Sequence, residues 1–256
     1  KTAYDIMPSL VGSEMCIRDS RQINMSTDYQ SSIHSPQMQI HEVLGCAPHS
    51  GNTGTGLIFK TNRGDVRSIL HKGETSEKSV IWVCGANGGF GGPANGIYEE
   101  LAEYFTSLGI SSLRMDYRSP NDFPECMLDL LSGIIYLQKR GYSPPVLVGH
   151  SFGGAVVIAA GAASPYVSGV VSLSSQTYGA HMAGLVSPKP LLIVHGKTDT
   201  RLPYTCGEQI HNWAEEPKEL VLFEGAEHRL EECRSALYEL LSTWIPNKLS
   251  DSTKTL

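Results

Sequence analysis

The sequence predicts an α/β domain: a mostly parallel eight-stranded sheet with helices on both faces. Two observations carry that prediction. From Ser79 to Trp244, short apolar runs alternate with longer segments of helical spacing. Such alternation builds a parallel sheet covered by crossover helices. The second observation is the segment at 146–156, Val-Leu-Val-Gly-His-Ser-Phe-Gly-Gly-Ala-Val. It reads as strand, sharp turn and helix, with Ser151 at the apex.

Before the alternation begins, Met38–Leu44 and Gly56–Lys60 read as strands. Asn62-Arg63-Gly64-Asp65 is a turn signal, and Val66–His71 is the returning strand, an antiparallel opening to the sheet. Ser79–Cys84 is a buried strand. Ala94–Leu108 is a helix with Ile97, Leu101, Ala102, Phe105 and Leu108 on its apolar side. Ser111–Asp116 is a strand, and Asp122–Arg140 a helix facing inward through Met127, Leu130, Leu131, Ile134, Ile135 and Leu137. Pro145–Val148 is a strand and Phe152–Ala163 a helix. Val167–Leu173 and Pro190–His195 are strands, and Tyr204–Trp213 is a helix. Lys218–Phe223 is the last strand and Leu230–Trp244 the last helix. There is no internal repeat and no low-complexity linker, so 37–246 reads as one domain, followed by a polar tail at 247–256.

The bulk composition narrows the function classes. With 256 residues, 41% hydrophobic and 18% charged, the chain can bury a sizeable core. The net charge of −6, without a Lys/Arg stripe, argues against nucleic-acid binding. No apolar run reaches the roughly 18 residues of a membrane span. Six cysteines are scattered with no C-x-x-C pair. A reducing, cytoplasm-like compartment follows from that scatter, and no Cys/His cluster has the spacing of a metal site. Residues 1–36 are set apart as a disordered or non-native leader. Tyr4–Ser20 resembles a translated adapter sequence, with Met25 as the expected start.

The G-x-S-x-G at Gly149–Gly153 fits a turn so tight that a Cβ at either glycine would strike strand or helix. Alone it is a glycine-rich turn with an ordinary serine. In its strand–helix context it presents Ser151 Oγ at the end of the sheet, where catalytic groups of such sheets gather. The helix N-terminus behind it supplies free N–H groups for a developing oxyanion. Two donors are needed. Phe152 N–H is one. The other is assigned to the glycine-rich loop Cys84–Pro93, with Ala86 first and Asn87 second. G-x-x-x-x-G-K-[ST] is absent there and no dinucleotide fingerprint fits, so a phosphate-binding role for this loop is set aside.

With these features the chain resembles the α/β-hydrolases over about residues 37–246, in the style of the compact, lidless dienelactone-hydrolase-like serine hydrolases. Dienelactone hydrolases proper use a cysteine nucleophile. This chain has Ser151, so their substrate is not carried over. The resemblance implies a carboxylate just past the strand ending at His195, which is Asp199 in His-Gly-Lys-Thr-Asp, and a base after the last strand, which is His228 in Gly-Ala-Glu-His. The order Ser151, Asp199, His228 is that of the fold. The chemistry implied is acyl transfer to water through an acyl-enzyme, with no cofactor and no metal. Lids of this fold enter after the sixth main strand, and Ser174–Lys189 is too short for one. An open, shallow site follows, walled by Asn87–Pro93 and Gln176–Val186, with Tyr178, Met182 and Leu185 as its apolar face. The partner is a small acyl compound: an ester, a thioester or a similar derivative. An acyltransferase using the same triad, and a silent hydrolase fold that binds a ligand, are the alternatives. His150, Asp116, Arg118, His181 and Cys84 are read as structural: packing, an Asp–Arg pair, loop polarity and core.

Overall fold

The computed structural model describes residues 38–48, 51–74 and 77–251. The proposed leader, its start at Met25, Cys16 and the end of the polar tail lie outside the described residues. The sheet has nine strands rather than eight, in the order β1-β2-β3-β5-β4-β6-β7-β8-β9. All nine correspond to strand segments read along the sequence, so the difference lies in the expected count and not in an added strand. At the antiparallel edge β1 (Ile40–Cys46), β2 (Thr55–Thr61) and β3 (Gly64–His71) form a meander, and β3 pairs antiparallel with β5 (Ser111–Met115). All remaining pairings are parallel, through β4 (Ser79–Val83), β6 (Val146–His150), β7 (Gly169–Leu173), β8 (Leu191–Gly196) and β9 (Lys218–Phe223).

The parallel strands are apolar on both faces because both are covered. Alternate residues of one strand go to opposite cores. Ile81 and Val83 pack in one cluster; Val80 and Trp82 pack in the other. The first core lies under α2 (Phe123–Lys139), α3 (Phe152–Ala163) and α4 (Thr205–Trp213). The second lies under α1 (Pro93–Ser107) and α5 (Arg234–Asp251). Asp122 caps α2, its side chain accepting from Glu125 N–H.

Three local departures from the sequence reading stand out. In α1, Ala94, Asn95 and Gly96 carry positive φ, so regular helix begins only near Ile97. The last helix passes through Pro246 and continues to Asp251, beyond the expected boundary at 246. Continuing it buries Leu249. Burial of that side chain, at about 1.5–3 kcal/mol, offsets most of the cost of the backbone bond that proline removes. Leu108 and Ile135, placed on apolar faces by spacing, are exposed.

Strand order positions the site. β4 and β6 are neighbours, so the loop after β4 and the turn after β6 meet at the same end of the sheet. β8 and β9 bring their own loops to that end from the right of β7.

Candidate active site

Ser151 sits between β6 and α3 with φ 58° and ψ −120°, a region that side chains rarely adopt. The two glycines beside this turn are there for close approach. A Cβ on Gly149 would lie 2.1 Å from Gly153 O, and one on Gly153 would lie 2.2 Å from Cys84 O. Ser151 N–H donates to Leu173 O at 2.8 Å, tying the turn to β7.

The structure brings Ser151, Asp199 and His228 together. His228 Nε2 is 3.0 Å from Ser151 Oγ, and His228 Nδ1 is 2.8 Å from Asp199 Oδ2. Asp199 and His228 are both buried. The other oxygen of Asp199, Oδ1, accepts from Arg201 N–H at 2.9 Å and Leu202 N–H at 2.8 Å. Burial works to raise the Asp199 carboxyl. The Leu202 N–H, the His228 side chain and the Arg201 N–H outweigh it, so the group stays below the usual carboxylate range.

Several positioning contacts are absent from the sequence reading. His195 Nε2 lies 3.0 Å from Leu202 O and 3.2 Å from Asp199 Oδ2, so two imidazoles share that carboxylate oxygen. Thr200 N–H and Oγ1 both bond Glu227 Oε2, at 2.9 and 3.0 Å. These bonds sew the Asp199 loop to the His228 loop. His150, read as packing, also donates from Nε2 to the His228 carbonyl at 2.9 Å. Burial, the main cause, pushes His150 down to about 4, so it is a neutral donor at pH 7. No pattern along the chain signals these pairs, because each joins loops from different strands.

The glycine-rich loop closes a turn in which Gly88 N–H donates to Gly85 O at 3.0 Å. Ala86 and Asn87 are the central residues of that turn, so their N–H groups are not used in closing it. Phe152 is the first residue of α3, where an N–H has no acceptor four residues back in the helix. A cavity of about 450 Å³ opens here, lined by residues 84–93, His150, Ser151, Arg201, His228 and Arg229. One expected wall, Asn87–Pro93, is therefore present. The other is not: Gln176–Val186 contributes no lining residue, whereas Arg201 and Arg229 do. Tyr178 is exposed and packs edge-on to Phe123, Leu185 is exposed, and Met182 is buried in the first core. The cause is a short 3-10 helix at Ala180–Val186, which turns Ala180, Met182, Ala183 and Val186 inward. A larger cavity, about 590 Å³, lies between Leu70, Lys72, Tyr136 and Arg140 at the opposite end of the parallel strands, away from this chemistry.

Asp116 and Arg118 do form structural pairs, though not with each other. Asp116 Oδ2 meets Arg67, and Arg118 meets Asp129. Among the described residues, no cluster of His, Cys, Asp and Glu could hold a metal ion, and no helix is long and apolar enough to cross a membrane.

The sheet order and the strand–turn–helix at Ser151 define the α/β-hydrolase fold, and the chain has that fold. The α/β-hydrolase GrgF from Penicillium sp. sh18 is similar with a TM-score of 0.66 at 16% identity, over 77% of this chain and 97% of that one. A dienelactone hydrolase from Anabaena variabilis ATCC 29413 is similar with a TM-score of 0.63 at 19% identity, over 73% and 93%. In sequence, the chain is 32% identical over 126 residues to the uncharacterized protein YfhR of Escherichia coli O157:H7. That match covers 39% of this chain and 44% of YfhR, less than half of the relative's length. No protein-family model matches the chain.

Proposed function

We propose that this chain is a serine hydrolase acting on small acyl compounds, carboxylic esters or thioesters, through Ser151, His228 and Asp199. The continuous path from Asp199 Oδ2 through the His228 ring to Ser151 Oγ, at 2.8 and 3.0 Å, is the observation that carries it. Ser151 Oγ bonds to the acyl carbon while its proton passes to His228 Nε2. The carbonyl electron pair moves onto oxygen, facing Phe152 N–H and Ala86 N–H. Collapse breaks the bond to the leaving group, which takes the proton from His228. Water then repeats the sequence and releases the acid. Asp199 keeps the proton of neutral His228 on Nδ1 and offsets the imidazolium charge.

The same reading takes 37–246 as the catalytic domain, extended to Asp251 by the end of α5. Five of the fifteen residues lining the cavity are glycine and none comes from 176–186, so it has no apolar wall there, which supports short acyl groups over long chains. The test is a fluorophosphonate probe, which loses fluoride on forming a bond to an activated serine. A mass increment on Ser151, absent from Ser151→Ala and followed by turnover of a short ester and thioester panel, is the expected result. Folded protein that takes no label would refute the proposal.

A further inference from the structure

We propose that Asp116 and Tyr117, adjacent residues past the end of β5, are positioning residues that hold both halves of the oxyanion hole. The inference rests on the acyl-transfer reading above. Neither side chain lines the cavity, so neither is a catalytic residue.

Asp116 holds the first half. Its Oδ1 accepts from Gly89 N–H at 2.7 Å and from Tyr117 N–H at 2.9 Å, while Oδ2 accepts from Arg67 Nη2 at 2.7 Å. A nearly buried carboxylate with three donors has little freedom to move. Gly89 directly follows the turn that carries Ala86 and Asn87. Gly88, at φ +70°, fits over the carboxylate so closely that a Cβ there would lie 2.5 Å from Oδ1.

Tyr117 holds the second half. Its hydroxyl donates to Cys84 O at 3.2 Å, on the other side of the same turn. Its ring stands edge-on to Phe152, with centroids 6.0 Å apart. The Cys84 carbonyl also receives the start of α3, since a Cβ on Gly153 would lie 2.2 Å from that oxygen and 3.1 Å from Tyr117 Oη. One dipeptide thus touches the residues on either side of the turn, Cys84 and Gly89, and the residue bearing the other donor, Phe152.

The need for such a bracket follows from composition. The loop contains Gly85, Gly88, Gly89, Gly91 and Gly92, so its backbone has many alternative conformations. An oxyanion donor accelerates reaction only if it is oriented before charge develops. Loosening the bracket therefore weakens the transition state and leaves ground-state binding nearly alone.

The experiment uses the full chain with p-nitrophenyl acetate, and with a trifluoromethyl ketone whose serine adduct carries an oxyanion. Tyr117→Phe removes only the hydroxyl bond. Asp116→Ala removes the acceptor of the Gly89, Tyr117 and Arg67 donors together. Each variant should lower kcat about tenfold, a fraction of the 10²–10³ for a deleted donor, with KM within twofold. Ketone affinity should fall by the same factor as kcat/KM. A merely structural role would lower the melting temperature without that proportionality. Variants with kcat within twofold of the parent, or a loss carried by KM alone, would overturn the inference. If Asp116→Ala does not fold, Tyr117→Phe decides. A parent protein that neither labels nor turns over would instead overturn the hydrolase reading, and this bracket with it.

Discussion

Replacing Asp199 with asparagine should nearly abolish turnover while leaving the fold in place, and the hydrogen bonds around it say why. Oδ1 faces two N–H donors, Arg201 at 2.9 Å and Leu202 at 2.8 Å. An amide NH₂ in that position would meet both donors head-on. The asparagine therefore keeps its oxygen there and turns its NH₂ into the Oδ2 position, against His228 Nδ1. That nitrogen must then accept, so the imidazole proton moves to Nε2 and points at Ser151 Oγ. The base becomes a donor to the group it should deprotonate. A wrong tautomer of this kind lowers kcat by about 10⁴, equivalent to about 5 kcal/mol of barrier. Steady-state hydrolysis of p-nitrophenyl acetate measures the loss, and a urea titration shows whether the variant is folded. A folded Asp199→Asn protein with kcat within tenfold of the parent would refute the tautomer reasoning.

Two further outcomes follow from burial and close packing in the fold. Burial pushes both His71 and His150 down to about 4, against about 6.5 in the unfolded chain. Between those values the unfolded state holds more protons, so stability is complete above about pH 6.5 and drains as pH falls toward 4. At pH 5 each histidine should lower unfolding free energy by about 2 kcal/mol, read as a shift in urea midpoint from pH 7.5. Equal midpoints would contradict it. Gly153→Ala should destabilise by about 2 kcal/mol or more, because its Cβ meets a backbone carbonyl at 2.2 Å that cannot rotate away. A neutral or stabilising midpoint change would mean α3 can shift without consequence.

How much of this was legible in the chain depends on how far apart the interacting residues are. The turn at Ser151 was readable because its constraint is local: two glycines, an apolar run and a small-residue helix within eleven residues, 146–156. Strand–helix alternation gave the sheet, and the resemblance placed Asp199 and His228 at strand ends, where the structure finds them beside Ser151. The contacts that orient them could not be read, because Glu227 reaches Thr200 and His195 shares Asp199 only once β8 and β9 pair. Asp116 was recognised as a partner for arginine, but Arg67 lies on β3, a neighbour only through the β3–β5 pairing. Met182 was misplaced for a different reason. An apolar residue in a connecting loop reads as pocket wall, and only the 3-10 turn shows it pointing into the core.

The order in which the strands leave the ribosome gives the neighbour relation of β4 and β6 a temporal meaning. The serine turn and the loop facing it are synthesised, and able to pair, while β8 and β9 are still unmade. On the proposed mechanism, Ser151 is an ordinary alcohol until the His228 loop docks. Reactivity at that hydroxyl would therefore report completion of the sheet, and a nascent or partly unfolded chain would carry its nucleophile in an inert form.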